Sequence, residues 1–230
     1  MNYLDYLRTD KFPHFWCSGC GNGIVLCAIA RAFEELDLTL ENTVVVTGIG
    51  CWGKADDYVR TNSFHGTHGR ALAFATGIKL ANPSLNVVVL MGDGDGITIG
   101  GNHFIHAARR NVDVTAILVN NFNYGMTGGQ YSGTTPEERI TTTSRYGHIE
   151  EGFDICAVAK AAGARYVARA STENPQQLKN LIRDGIKKQG FACIEAISPC
   201  PTHFGRNNGM RSPAALMRWV NENSVTPAQA

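Results

Sequence analysis

A doubly wound α/β domain, with a mostly parallel sheet and helices on both faces, is the fold the sequence predicts. Two observations carry this expectation. Short β-branched runs alternate along the chain with longer segments of helical spacing. The runs are apolar throughout rather than alternating with polar residues, as expected of strands covered on both faces. No internal repeat or low-complexity linker interrupts the 230 residues, so residues 1–230 read as a single domain.

Taken in chain order, Gly23–Leu36 places Ile24, Cys27, Ala28, Ala30 and Phe33 at loosely helical spacing and reads as the first helix. Thr43–Gly48 (TVVVTG) is the first strand. Arg70–Ala81 has helical composition and periodicity, and Asn86–Met91 (NVVVLM) is again a strand. Asn102–Arg110 reads as a helix and Val112–Asn120 (VDVTAILVN) as the next strand. The stretch from Phe122 to Tyr146, rich in Gly, Thr and Ser, reads as a long active-site loop. Asp154–Ala162 and Pro175–Lys188 read as helices, with Arg165–Ala168 a short strand and Ala192–Ile197 (ACIEAI) a weaker one. The segment after Ser212, ending ENSVTPAQA, reads as a peripheral tail.

Composition excludes several functions. Hydrophobic residues are 43% and charged residues 18% of the chain, which is globular. With a formal net charge of +1 and no Lys/Arg block, nucleic acid has no electrostatic footprint to bind. No apolar run approaches a membrane span, and the opening MNYLDYLRTDKF is too charged for a signal peptide. Seven cysteines without an export signal point to a reducing cytoplasm, and to core, redox or metal-binding roles rather than disulfides.

Two turns concentrate the polar chemistry. Gly92-Asp93-Gly94-Asp95-Gly96 follows NVVVLM directly, and in an open parallel sheet ligands bind beyond the carboxyl ends of strands. Such a turn offers backbone N–H groups to a phosphate, whereas its aspartates need an intervening cation such as Mg²⁺ or Ca²⁺. The following strand ends in Asn120-Asn121-Phe122-Asn123-Tyr124-Gly125, whose amide and carbonyl oxygens are further ligands of that kind if the two strands are neighbours. Either turn alone is ordinary in an α/β protein; the pair at consecutive strand ends is specific.

The cysteines fall into two sets. Cys17 and Cys20 form a CxxC before the first helix, Cys51 follows the strand TVVVTG, and Cys200 follows ACIEAI. Four such thiolates suit Zn²⁺ or an iron–sulfur cluster, and one close pair with two distant singles weakens zinc. A thioredoxin-like dithiol would leave Cys51 and Cys200 unexplained. Cys27, Cys156 and Cys193 lie in helix- or strand-like apolar stretches and read as core residues.

At this point the chain resembles a family. GDG followed by NN resembles the thiamine diphosphate motif, and MTGGQ matches the stretch that follows it in 2-oxoacid:ferredoxin oxidoreductases. The segments WCSGCGNG, GIGCWGK, HGTHGRALAFATGIKLANP, GDGDGITIGGNH, NNFNYGMTGGQ and SPCPTHFGR, in order from Phe15 to Arg206, all resemble the beta subunit of those enzymes. The resemblance implies that Asp93, Asn121 and, through its main chain, Asn123 bind Mg²⁺. It implies that Cys17, Cys20, Cys51 and Cys200 bind one [4Fe–4S] cluster. The cofactor-binding set it implies is Gly50, Cys51 and His68 with Gly92, Gly94 and Asp95, completed by Asn121 and Thr127. The run of closely spaced ferredoxin-like cysteines that would carry further clusters is not in this sequence.

The implied chemistry joins thiamine diphosphate, which forms a carbanion, to a one-electron acceptor beside it. Coenzyme A takes the acyl group and ferredoxin the electrons. The family supplies the activating Glu from a separate alpha subunit, so a hetero-oligomer is expected. Glu195, the only glutamate in an apolar strand-like run, reads as a paired structural carboxylate. The segment GCWGKADDYVRTNSFHGTHGR with CPTHFGRNN most resembles the members that use 2-oxoglutarate; pyruvate and branched-chain oxoacids are the alternatives within the class. A non-catalytic iron–sulfur electron-transfer module is the alternative outside it, disfavoured by the GDG…NN pair. Lys54 is a candidate for the distal carboxylate, against an ion pair with Asp56 or Asp57. His68 is a candidate proton-handling group beside His65 and Arg70, while His103 and His106 read as structural.

Overall fold

Six parallel strands in the order β2-β1-β3-β4-β6-β5 form the centre of the molecule, which we describe from a computed structural model covering residues 1–225. The strands are β1 (Thr43–Thr47), β2 (Asn62–His65), β3 (Asn86–Gly92), β4 (Thr115–Asn120), β5 (Tyr166–Ser171) and β6 (Ala192–Ile197). The helices are α1 (Asn22–Glu35), α2 (Ala71–Ala81), α3 (Gly101–Arg109), α4 (Ile155–Ala161), α5 (Pro175–Lys187) and α6 (Pro213–Glu222). This is the doubly wound arrangement expected from the alternation.

The continuous apolar runs are explained by two separate cores. Successive strand residues face opposite sides of a sheet. Val45, Val88, Leu90, Ile117 and Val119 therefore pack with Leu26, Ile29 and Phe33 of α1 and Leu178 and Ile182 of α5. Val46, Val87, Val89, Met91 and Leu118 face the other way, toward Leu72 of α2, Phe104 of α3 and Ile155 of α4.

β2 has no counterpart in the sequence reading. Its residues, Asn-Ser-Phe-His, are all exposed, because β2 is an edge strand covered only in part, by Phe74 of α2 against Phe64 and by Asp56 against His65. It pairs in parallel with β1, Thr47 opposite His65. The segment after Ser212, expected as a peripheral tail, forms α6. Ser212 caps it by accepting the Ala215 N–H, and Pro213 stands at the first helical position. Leu216 and Val220 are buried, and Trp219 packs against Phe122 and Phe204. Residues 226–230 of that segment lie outside the described residues.

Strand order locates the ligand crevice. The chain leaves β1 for β2 on one side and returns to β3 on the other, so a topological switch point lies between β1 and β3. The loops leaving β1, β3 and β4 converge there. Among the described residues, no helix is long and apolar enough to cross a membrane. Ile117 is fully buried at the middle of β4. Truncating Ile117→Ala is expected to lower unfolding stability by about 2–5 kcal/mol, read as a lower urea midpoint at unchanged slope.

Candidate functional site

A narrow cleft of about 70 Å³ sits at the switch point. Ile49, Gly50, Cys51 and Trp52 line it from the β1 loop, Gly92 to Asp95 from the β3 loop, and Asn121 to Thr127 from the β4 loop, with His68 completing the wall. The structure thus brings together Gly50, Cys51, His68, Gly92, Asp93, Gly94, Asp95, Asn121, Asn123 and Thr127 from distant parts of the sequence.

The GDGDG segment, read as a turn, starts a wide helical turn from Gly94 to Ile99. The Gly100 N–H reaches back five residues to the Asp95 carbonyl at 3.0 Å, and the segment runs straight into α3. Such π-type turns recur at functional sites. Asp93 is the last residue before it and is 1% exposed. Burial pushes its carboxyl pKa up; hydroxyls of Ser132 and Thr134 and the Asn121 N–H pull the other way.

Asp95 is committed elsewhere. Its Oδ1 lies 2.6 Å from His68 Nδ1 and accepts the Gly69 N–H at 2.7 Å. With Asp95 ionised, Nδ1 carries the histidine proton and Nε2 is the atom left for the cleft. The same carboxylate packs directly on Gly48, where any side chain would overlap it. Tyr124 closes the turn, its hydroxyl donating to the Gly94 carbonyl at 3.2 Å.

On β4's exit, Asn121 Oδ1 accepts the Asn123 N–H at 3.2 Å. Asn123 is 3% exposed, yet neither polar atom of its side chain has a partner. Asp95 Oδ2 is also buried without one. A buried carboxylate, amide oxygens and orphaned polar atoms at one spot are what a hard divalent cation needs, so these residues fit Mg²⁺. Phe122, between the asparagines, holds a left-handed φ of 64°, locked by its ring against Phe204 and Trp219. Thr127 is exposed, its hydroxyl donating to Gln130 Oε1 at 2.6 Å.

Two of the thiols approach the same loop, Cys51 from the cleft wall itself. The Cys200 N–H donates to the Asn121 carbonyl at 3.2 Å, and Trp16 Nε1 donates to the Cys51 carbonyl at 2.6 Å. A side-chain carbon at Gly125 would lie 3.5 Å from Cys51 Sγ and 3.7 Å from Cys200 Sγ. Burial raises Cys20 to about 12, partly offset by the Asn22 N–H, with Cys200, Cys51 and Cys17 adding to the rise. Burial likewise lifts Cys51 to about 11, with Cys200 and Cys17 contributing. Cys20 and Cys51 therefore both sense the charge of Cys17 and Cys200. Among the described residues, no three of the four sulfurs lie within 4.8 Å of each other, wider than a tetrahedral zinc site with its Zn–S bonds of about 2.3 Å.

Lys54 is not among the residues lining the cleft; its Nζ pairs with Asp57 at 2.6 Å, the ion-pair alternative weighed from sequence. Glu195 is a paired structural carboxylate, 2% exposed, accepting from Arg169 Nε at 2.6 Å and Asn120 Nδ2 at 2.8 Å. Asp154 and Cys156 gather beside it, with Arg169 bridging to Asp154, so this cluster already has its cation. It borders a larger cavity, about 460 Å³, between β4, β6 and α6. Sequence reasoning missed Tyr124, Ser132 and Thr134; the hydroxyl-rich composition of the Phe122–Tyr146 loop was their one signal.

Comparison with known proteins agrees with this geometry. Residues 47–196 match the family model "Thiamine pyrophosphate enzyme, C-terminal TPP binding domain". The chain is 53% identical over 228 residues to the 2-oxoglutarate synthase subunit KorB of Methanothermobacter marburgensis, covering 99% of this chain and 80% of that protein. It is 43% identical over 221 residues to the beta subunit of 2-oxoacid:ferredoxin oxidoreductase 2 of Aeropyrum pernix, covering 96% and 68%. The chain belongs to the 2-oxoacid:ferredoxin oxidoreductase beta subunits. Among solved structures, a 2-oxoglutarate:ferredoxin oxidoreductase from Magnetococcus marinus, with 2-oxoglutarate, coenzyme A and succinyl-CoA bound, superposes with a TM-score of 0.85 at 40% identity. That match covers 88% of this chain and 69% of the other. Membership makes the chain part of an oxidoreductase with a thiamine diphosphate-binding domain, as the resemblance implied.

Two measurements probe the site. Gly48→Ala forces a methyl group into Asp95 and is expected to cost about 1–3 kcal/mol of stability and to weaken thiamine diphosphate binding by calorimetry. Thiolate is the reactive form of cysteine, so raised pKa values keep Cys20 and Cys51 protonated at pH 8. In metal-free protein, exposed Cys17 is expected to alkylate first. Cys20 and Cys51 should gain reactivity about tenfold per pH unit as pH climbs toward their pKa values, followed by mass spectrometry. Equal rates at pH 8 would contradict these environments.

Proposed function

We propose that this chain is the diphosphate- and cluster-binding subunit of an enzyme that converts 2-oxoglutarate and coenzyme A to succinyl-CoA and CO₂, delivering two electrons to ferredoxin. One observation carries the reading. The loop from Asn121 to Gly125 lines the cleft with its oxygen groups, and a side-chain carbon at Gly125 would touch the Asn123 amide oxygen and the sulfurs of Cys51 and Cys200 alike. When bound, thiamine diphosphate supplies a nucleophilic carbon for the oxoacid carbonyl and a [4Fe–4S] cluster accepts electrons singly.

The chain's own residues divide the work. Asp93, Asn121 and the main chain of Asn123 hold Mg²⁺, which neutralises the diphosphate. The backbone around Gly50, Gly92 and Gly94, with the loop at Thr127, receives the diphosphate itself. Cys17, Cys20, Cys51 and Cys200 ligate the cluster, and Asn22 offers its N–H to the Cys20 sulfur. His68, held through Nδ1, handles a proton at Nε2. Lys54 meets the distal carboxylate of the oxoacid only by leaving Asp57.

Substrate choice is supported by the relatives named for 2-oxoglutarate and by the solved neighbour that holds 2-oxoglutarate, coenzyme A and succinyl-CoA. A cleft of about 70 Å³ is far below the 300–1,000 Å³ of a complete small-molecule site, so a companion alpha subunit supplies the remaining walls and the activating Glu. Seven free cysteines accord with a cytoplasmic setting.

The test is to purify the chain anaerobically with its companion subunit and follow CoA-dependent reduction of a viologen dye. The expected result is fastest reduction with 2-oxoglutarate. Equal rates with pyruvate would remove the substrate assignment, and no reduction with any 2-oxoacid would remove the enzyme reading.

A further inference from the structure

The two oxygens of Asp93 are used differently. Oδ1 accepts one long bond, from the Asn121 N–H at 3.3 Å. Oδ2 receives two hydroxyls, Ser132 Oγ at 2.5 Å and Thr134 Oγ1 at 2.7 Å. Both hydroxyl residues are buried, and they lie 39 and 41 residues away along the chain. Their loop is tied to the β4 exit: Thr135 Oγ1 accepts the Ser132 N–H at 2.9 Å and donates to the Phe122 carbonyl at 2.8 Å.

A second layer sets the orientation. Thr134 Oγ1 also lies 3.0 Å from Asn120 Oδ1. The Asn120 amide cannot turn over, because Glu195, paired with Arg169, accepts from its Nδ2. Asn120 therefore shows Thr134 an oxygen and never an N–H. Nothing on that side competes to donate into Thr134, whose proton goes to an acceptor; the nearer one is Asp93 Oδ2. Ser132 and Thr134 touch each other at 3.1 Å, so the two hydroxyls form one clamp on a single carboxylate oxygen.

We propose that Ser132 and Thr134 are positioning residues of the cation site, which hold Asp93 by Oδ2 so that Oδ1 keeps open coordination for the metal. The inference rests on Asp93 being a cation ligand. Hydrogen-bonded supports of this kind typically set metal affinity by 10–100-fold without contacting the ion.

The test titrates Mg²⁺ into the full chain, assembled with its companion subunit, at fixed thiamine diphosphate. Binding is followed by calorimetry and by quenching of Trp52, which lines the cleft, rather than by turnover. Thr134→Val and Ser132→Ala are each expected to raise the Mg²⁺ half-saturation about 10–100-fold. Thr134→Ser, which keeps the hydroxyl, is expected to restore the parent value. If Thr134→Val does not fold, Ser132→Ala alone decides. Asp93→Asn separates the two levels. If it loses Mg²⁺ while both hydroxyl variants bind normally, the clamp is overturned and the ligand assignment stands. If Asp93→Asn binds Mg²⁺ like the parent, the ligand assignment itself fails.

Discussion

A carboxylate with 1% of its surface exposed stays ionised only if its surroundings replace the water it has lost. Asp93 imposes that demand on everything near the switch point. The parallel sheet delivers it to the end of β3, where the strand directions leave a crevice between the loops of β1 and β4. Two hydroxyls and one backbone N–H answer it from within the chain, and its pKa is still pushed up. The remaining deficit is what a divalent cation would remove. The long loop after β4 has to fold back over the sheet to bring Ser132 and Thr134 to Oδ2, and that return explains the left-handed Phe122 at its start. Backbone strain of about 1–3 kcal/mol at such a residue persists only where packing overrides it, here the rings of Phe204 and Trp219.

The same loop explains how two chemistries fit in one small chain. Asn121 lines the cleft and gives its carbonyl to the Cys200 N–H, so the backbone of Cys200 is tied to the segment that carries the oxygen groups. Gly125 and Cys51 both line the cleft, and a side-chain carbon at Gly125 would meet the sulfurs of Cys51 and Cys200 at van der Waals distance. Cys51 also senses the charge of Asp93, the electrostatic counterpart of that closeness.

Much of this was legible in the sequence, for a physical reason. Strands buried on both faces must be apolar at every position, so TVVVTG, NVVVLM and VDVTAILVN announce themselves, and parallel pairing then orients their carboxyl ends together. Asp93, Asn121 and Cys51 stand out because glycines and asparagines mark the turns that leave those ends. β2 was invisible for the converse reason: an exposed edge strand, with only Phe64 packed on Phe74, carries no continuous apolar pattern. Ser132 and Thr134 were invisible one by one, since a hydroxyl in a Gly/Thr/Ser-rich loop looks like any other until the chain folds over Asp93. Asp95 stood out as an acidic residue in a ligand turn, but only the fold shows it holding His68 and resting on Gly48.

The buried carboxylates around the cleft are each already engaged by this chain. Asp93 is held by Ser132 and Thr134, Asp95 by His68 and the Gly69 N–H, and Glu195 by Arg169 and Asn120. Releasing any of them to act as an acid on a bound cofactor would strand a charge or a hydrogen-bonding group out of water, at about 3–5 kcal/mol for a broken buried pair. Glu195 also lies on the far side of Asn120 from the cleft, where it orients that amide. On the reading proposed above, the carboxylate that activates the thiamine ring therefore has to arrive on another chain. On that same reading, the oxygen cradle and the thiols are built into this chain, and the acid that would complete them is left to its companion.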